Sequence, residues 1–188
     1  MKRYAVIMAG GAGERFWPLS RKSKPKHLWN VTGGESCLLS MTYARARRAV
    51  DPENIYVVTN AGQAGAIAET CPEIAKDKII VEPAGRDTTA AIGLSAAYLK
   101  RVCGEGDSSF AVFPSDHAVS DADAFARTVE TAFGVAESAG GLVTIGIPPT
   151  FPATGYGYIR RGEKFSDGFG EYYKVARFYE KPTSRGLP

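Results

Sequence analysis

Residues 4–9 read YAVIMA, and residues 10–26 follow at once as GGAGERFWPLSRKSKPK. An unbroken apolar run of that length describes a strand buried on both faces. Two consecutive glycines end it, where backbone N–H groups can wrap an anion without Cβ clashes. Neither familiar phosphate loop fits. A Walker loop needs Gly-Lys-Ser/Thr, whereas Gly13 is followed by Glu14-Arg15. A dinucleotide loop takes Gly11 and Gly13 but meets Phe16 at its third glycine, which disfavours a dehydrogenase. Pro18 and Pro25 interrupt any helix start, while Arg15, Arg21, Lys22, Lys24 and Lys26 set cations beside the glycines. A solvated basic loop on a glycine turn would account for either feature alone. The whole string, placed after the first strand, suits a polyphosphate.

Short apolar runs and helical patterns then alternate. Strands are predicted at 54–59, 78–81, 110–113 and 142–147, and helices at 36–50, 61–70, 88–102 and 121–139. Gly62 and Gly65 weaken the second helix, and Asp87 suits the N-cap of the third. Continuous apolar strands with helices between them imply parallel strands covered on both faces, joined by right-handed crossovers. Ligands of such sheets bind beyond the carboxyl ends of the strands. After Pro148 the rhythm changes. Strands at 156–161 and 172–179, joined by the turn-rich GEKFSDGFGE, predict a β-hairpin. The expected fold is therefore an open, mostly parallel, Rossmann-like α/β sheet with helices on both faces, plus a hairpin near the C-terminal end.

Composition removes several classes. The 188 residues carry 23 Lys+Arg and 20 Asp+Glu, a net charge of +3, which argues against nucleic-acid binding by bulk charge. An apolar share of 44% excludes a disordered chain. Cys37, Cys71 and Cys103 are odd in number and form no C-x-x-C pair, so neither a disulfide framework nor a zinc site is expected. No stretch approaches the ~20 apolar residues of a membrane span. A reduced, cytoplasmic setting without a membrane partner is the expectation.

The string GGAGERFWPLSRKSKPK resembles the signature of the sugar-1-phosphate nucleotidyltransferases, with its glycine loop, Arg, Pro-Leu pair and closing Pro-Lys. Trp17 to Arg21 is similar to the branch that joins GTP to mannose 1-phosphate, and three later segments match that branch. The resemblance implies the nucleotide-diphospho-sugar transferase type of fold. It also implies that Gly10, Gly11, Ala12, Gly13, Glu14, Arg15 and Lys26 hold the nucleotide. Glu82, Arg86, Asp87 and Thr88, in EPAGRDT after the third strand, stand where relatives read the purine. Asp87 replaces the usual Asn, so base contact and helix capping both stay open for it.

Pro114-Ser115-Asp116-His117 matches a Pro-x-Asp-His element whose Asp binds the catalytic Mg²⁺, with Ser115 beside the nucleotide. His117 reads as an orienting or packing residue rather than a base. Gly155 and Tyr156, in TGYGY, and Glu180 and Lys181, in FYEKP, match the sugar-phosphate site, with Glu on the hydroxyls and Lys on the phosphate. Tyr156 and Tyr158 suit either that site or packing of the hairpin. Arg15, Lys26, Asp116 and Lys181 would carry catalysis. Residues 1–147 would form the nucleotide-binding core and 148–188 the start of the sugar-phosphate part. Relatives continue with a Trp-Asn-Ser-Gly element and a second metal-binding Asp, so the domain is expected to be incomplete at its C-terminal end. A homodimer stays open, as do another nucleotide or sugar and a nucleotide-binding module without turnover.

Overall fold

The computed structural model describes residues 1–11, 25–30, 36–104 and 106–181. They fall into two compact units, Met1–Val129 and Glu130–Pro188. In the first, β1 (Lys2–Met8), β2 (Ile55–Asn60), β3 (Ile79–Glu82) and β4 (Ser108–Pro114) form one sheet in the order β3-β2-β1-β4. Every pairing is parallel, with Ile7 opposite both Val57 and Phe113, and Val58 opposite Ile80. The helices α1 (Leu38–Ala46), α2 (Ala61–Thr70) and α3 (Asp87–Cys103) supply the crossovers, and α4 (Ala122–Ala139) follows β4.

The strands are apolar on both sides because both sides are covered. Tyr4, Val6, Tyr56, Val58 and Ile80 share a core cluster with Ala91 and Leu99 of α3. The alternate residues Ala5, Ile7, Ile55 and Val57 are just as fully buried, so the opposite face is closed as well. Leu39, Tyr43 and Ala46 form the buried stripe of α1. Its first turn is capped by Cys37, whose Sγ accepts from the Ser40 N–H at 3.4 Å. The helix expected over 36–50 is thus regular only from 38 to 46, and turns follow.

Two expectations need correction. Residues 142–147 form no strand, and Leu142 and Ile147 are 103% and 80% exposed. Apolar, β-branched composition supplies propensity, but a strand also needs an adjacent edge for its N–H and C=O groups. Among the described residues no strand pairs with this run. Second, GEKFSDGFGE is mostly strand rather than loop. β5 (Tyr158–Asp167) and β6 (Gly170–Tyr179) pair antiparallel through to Asp167 opposite Gly170. Gly168 and Phe169 alone make the turn. The Phe169 N–H donates to Asp167 Oδ1 at 2.9 Å, and Gly170 takes φ 122°, which side-chain-bearing residues avoid. Thr131 Oγ1 of α4 donates to the Phe169 carbonyl at 2.8 Å within the same unit.

Candidate active site

The strand order locates the site before any side chain is considered. From β1 the chain winds outward through β2 to β3, then crosses back so that β4 lies on the other side of β1. The order reverses between β1 and β4, and the crevice beyond their carboxyl ends is where such sheets bind ligands. Here β1 runs out into Gly10 and Gly11, and β4 into Ser115 and Asp116. A cleft of about 440 Å³ lies at that place. Gly10, Gly11, Lys26, Glu82, Arg86, Asp87, Thr88, Ser115 and Asp116, all singled out from the sequence, line it. Met8, His27, Val58 and Ala91 add to its wall.

The glycine strand-end is fixed from β2 and α2. Thr59 Oγ1 donates to the Ala9 carbonyl at 2.7 Å, Asn60 Nδ2 to Gly10 at 3.2 Å and Gln63 Nε2 to Gly11 at 3.5 Å. A Cβ on Gly10 would come within 3.0 Å of Glu82 Oε2, so glycine lets the β3 carboxylate approach the loop. Ala12, Gly13, Glu14 and Arg15 lie outside the described residues, as does the rest of the string up to Lys24.

Lys26 and Asp116, 90 residues apart in sequence, meet across the cleft with Nζ 2.9 Å from Oδ2. Their side chains are 23% and 41% exposed. Partial burial pushes the Asp116 carboxyl up. The Lys26 hydrogen bond and charge, with His117 nearby, outweigh that and hold it below its ordinary value. The His117 side chain is exposed, and its backbone carbonyl accepts from Arg45 Nη2 at 2.8 Å. Asp87 is the first residue of α3 and takes φ 60°, a left-handed conformation that Asp and Asn tolerate better than most. It is not the N-cap: that position falls to Arg86, and no side chain caps it. The capping role is withdrawn, and Asp87 stays on the cleft wall.

His27 stands out in the sequence only as a residue between Lys26 and Leu28. It is 3% exposed, and its Nε2 has no hydrogen-bond partner among the described residues. Burial pushes the imidazole down to about 4 against the opposing pull of Asp116. Its unfolded value is about 6.5, so stability is intact above that pH and drains away as pH falls towards 4. The total is on the order of 3 kcal/mol. Asp116 adds its own loss only at and below about 3.8. Urea unfolding of the full-length protein between pH 7 and 4 is expected to show this acid limb, and His27→Gln to flatten it. An unchanged limb in the variant removes His27 as the cause.

The remaining predicted residues belong to the second unit. Glu180 Oε1 and Lys181 Nζ are 3.4 Å apart, and both side chains are largely exposed. A Cβ on Gly157 would meet Glu180 Oε2 at 3.4 Å, while Gly155 stands in open space and Tyr156 is exposed. Tyr158 is occupied locally, since its hydroxyl accepts from Ala153 N at 2.8 Å and donates to Ala153 O at 3.0 Å.

Fold and cleft together define a parallel α/β protein with an open cleft at its topological switch point. The chain belongs to the nucleotidyl transferase family, which matches residues 4–187. It is 44% identical over 186 residues to the mannose-1-phosphate guanylyltransferase of Escherichia coli (strain K12), covering 97% of this chain and 38% of that protein. The mannose-1-phosphate guanylyltransferase of Salmonella montevideo is 40% identical over 184 residues, covering 95% and 37%. A crystal structure from Thermus thermophilus, described as a mannose-1-phosphate geranyltransferase, superposes with a TM-score of 0.84 at 37% identity. It covers 97% of this chain and 51% of that one. The chain therefore spans about two fifths of the length of these curated relatives. The resemblance and the α/β fold expected from the sequence are both borne out. Among the described residues no helix is long and apolar enough to cross a membrane.

Proposed function

We propose that this chain carries the nucleotide-binding core, with the start of the sugar-phosphate part, of an enzyme that transfers GMP from GTP to mannose 1-phosphate, giving GDP-mannose and pyrophosphate. The observation that carries the reading is the Lys26–Asp116 pair in the switch-point cleft. The relatives named for this reaction, 40–44% identical, support the choice of substrates.

The nucleophile is a phosphate oxygen of mannose 1-phosphate. Its second pKa of about 6 leaves it dianionic at neutral pH, so no protein base is needed. It attacks the α-phosphorus of GTP, and the bond from that phosphorus to the α–β bridging oxygen breaks. Pyrophosphate leaves with the electron pair. The obstacle is repulsion between anions, about 4 kcal/mol per unit-charge pair at 4 Å in an effective dielectric near 20. Lys26 and Arg15 offset this along the triphosphate, and Lys181 does so on the sugar phosphate. The glycine strand-end offers N–H groups, Glu82, Arg86, Asp87 and Thr88 surround the base, and Gly155, Tyr156 and Glu180 hold the sugar. The protein thus acts by positioning and by charge stabilisation.

Asp116 is the residue that would hold Mg²⁺. No group of three or more acidic, His or Cys side chains that could cage a metal occurs among the described residues. One carboxylate at the mouth of a phosphate cleft fits a cation shared with substrate oxygens, the usual mode for Mg²⁺. When bound, the ion neutralises charge on the reacting phosphates.

The test is pyrophosphate release by the full-length protein with Mg²⁺, crossing GTP, ATP, UTP and dTTP with mannose and glucose 1-phosphates. Turnover confined to GTP and mannose 1-phosphate is expected. Turnover with a different pair overturns the substrate assignment, and none with any pair overturns the enzymatic reading.

A further inference from the structure

Asp116 is held from the protein interior as well as from the cleft. It sits in a tight turn between Ser115 and His117. On the sheet side, the Ser115 N–H donates to the Met8 carbonyl of β1 at 3.1 Å. On the other side, α1 reaches the two carbonyls that flank Asp116. Arg45 Nη2 donates to His117 O at 2.8 Å, and Thr42 Oγ1 lies 3.5 Å from Ser115 O. The same Arg45 nitrogen donates to Thr42 Oγ1 at 2.6 Å, so the two contacts form one connected set.

Arg45 is an expensive way to fill this space. It is 6% exposed, its Nε has no hydrogen-bond partner among the described residues, and its guanidinium lies 5.9 Å from the Phe125 ring. Phe125 in turn packs on Phe113 of β4 at 5.5 Å between centroids. A Leu or Met would occupy such a site without burying a cation. What an apolar residue cannot supply is a cationic NH2 group whose two N–H donors reach a backbone carbonyl and a hydroxyl together.

We propose that Arg45, together with Thr42, is a positioning residue: it clamps the 115–117 turn so that the Asp116 carboxylate stays aimed at Lys26 across the cleft. Its consequence for catalysis rests on the functional reading above, whereas its effect on the turn does not. Arg45 touches no reacting atom. It acts through the backbone on either side of the residue that does.

The experiment uses the full-length protein with Arg45→Met, which keeps much of the volume and removes the donor group, and with Thr42→Val, which removes only the hydroxyl. Hydrogen exchange is followed by mass spectrometry in peptides covering 114–119 and 55–60. Mn²⁺ binding in the presence of GTP is followed by electron paramagnetic resonance, alongside kcat and KM. Exchange over 114–119 is expected to accelerate with 55–60 unchanged. Mn²⁺ affinity and kcat are expected to fall about tenfold to a hundredfold, the range for residues that support a metal-binding group from behind. The KM for GTP should change far less, because the loss concerns aim rather than nucleotide docking. Unchanged exchange over 114–119 in a folded Arg45→Met protein overturns the proposal, as does unchanged Mn²⁺ affinity. Should Arg45→Met fail to fold, Thr42→Val decides by the same two readouts. Should the wild-type protein turn over no substrate pair, the functional reading falls while the exchange data still judge the clamp.

Discussion

Replacing Lys26 with alanine is expected to lower kcat/KM for pyrophosphate release by about two orders of magnitude, or ~3 kcal/mol of transition-state stabilisation. The Nζ stands 2.9 Å from Asp116 Oδ2 and three-quarters of the side chain is covered, so the cation has a defined place in the cleft. In the proposed reaction negative charge would shift towards the leaving pyrophosphate as the α–β bond breaks, and a fixed cation there would stabilise that state more than the ground state. The loss should therefore fall mainly on kcat. Stability should change little, because Asp116 is 41% exposed and water can take over part of the pairing. Lys26→Arg keeps the charge but replaces a compact ammonium with a wide fork, so it should recover only part of the rate. Steady-state kinetics over Mg²⁺, GTP and mannose 1-phosphate concentrations makes the check. A loss below tenfold removes Lys26 from the machinery.

Asp116→Asn should cost more, about a thousandfold in kcat/KM, or ~4 kcal/mol. The change is nearly isosteric, so packing is preserved while the anionic charge is lost. Two effects then combine: the proposed cation site loses its anionic charge, and Lys26 loses its ion-pair partner. Extra Mg²⁺ should restore part of the activity at most. The two residues touch, so their effects should not be independent. Lys26→Ala with Asp116→Asn is expected to fall short of the product of the single losses, since each single change already disables the pair. A multiplicative double variant, or an Asp116→Asn protein within tenfold of wild type, contradicts the shared role. Measuring Mn²⁺ binding to the GTP complex of each variant separates a lost cation site from a misplaced phosphate.

Most of the strand layout is legible in the chain because burial on both faces leaves a direct mark. YAVIMA, NIYVVT and the run at 78–81 stand out as apolar stretches, and each lies within about two residues of an observed strand. The hairpin is legible in position but not in length. Its connection is rich in glycine and charge, yet the antiparallel ladder continues to a two-residue turn, since backbone pairing tolerates exposed polar side chains. The run at 142–147 misleads in the opposite direction: its composition is that of a strand, but a strand is a property of two segments and no described partner is present.

The cleft divides in the same way. Glycines directly after a buried strand carry chemistry that residue type reveals, so Gly10 and Gly11 could be named from the chain, whereas Asp116 is singled out by the resemblance of Pro114 to His117 to the family's element. His27, Thr42 and Arg45 could be named by neither route. A histidine after a lysine, or an arginine within a helix, gives no local sign of being buried. The left-handed backbone of Asp87 is equally invisible, because Asp suits both a cap and that conformation.

Local composition therefore settles which segments are strands and which residue types can meet phosphate, since those depend on side-chain periodicity and on charge. Which residues meet is another matter. That Lys26 faces Asp116, or that α1 grips the turn around it, follows from the crossover that carries β4 to the far side of β1. The crossover is a product of packing among distant segments, and no short stretch of the chain encodes it.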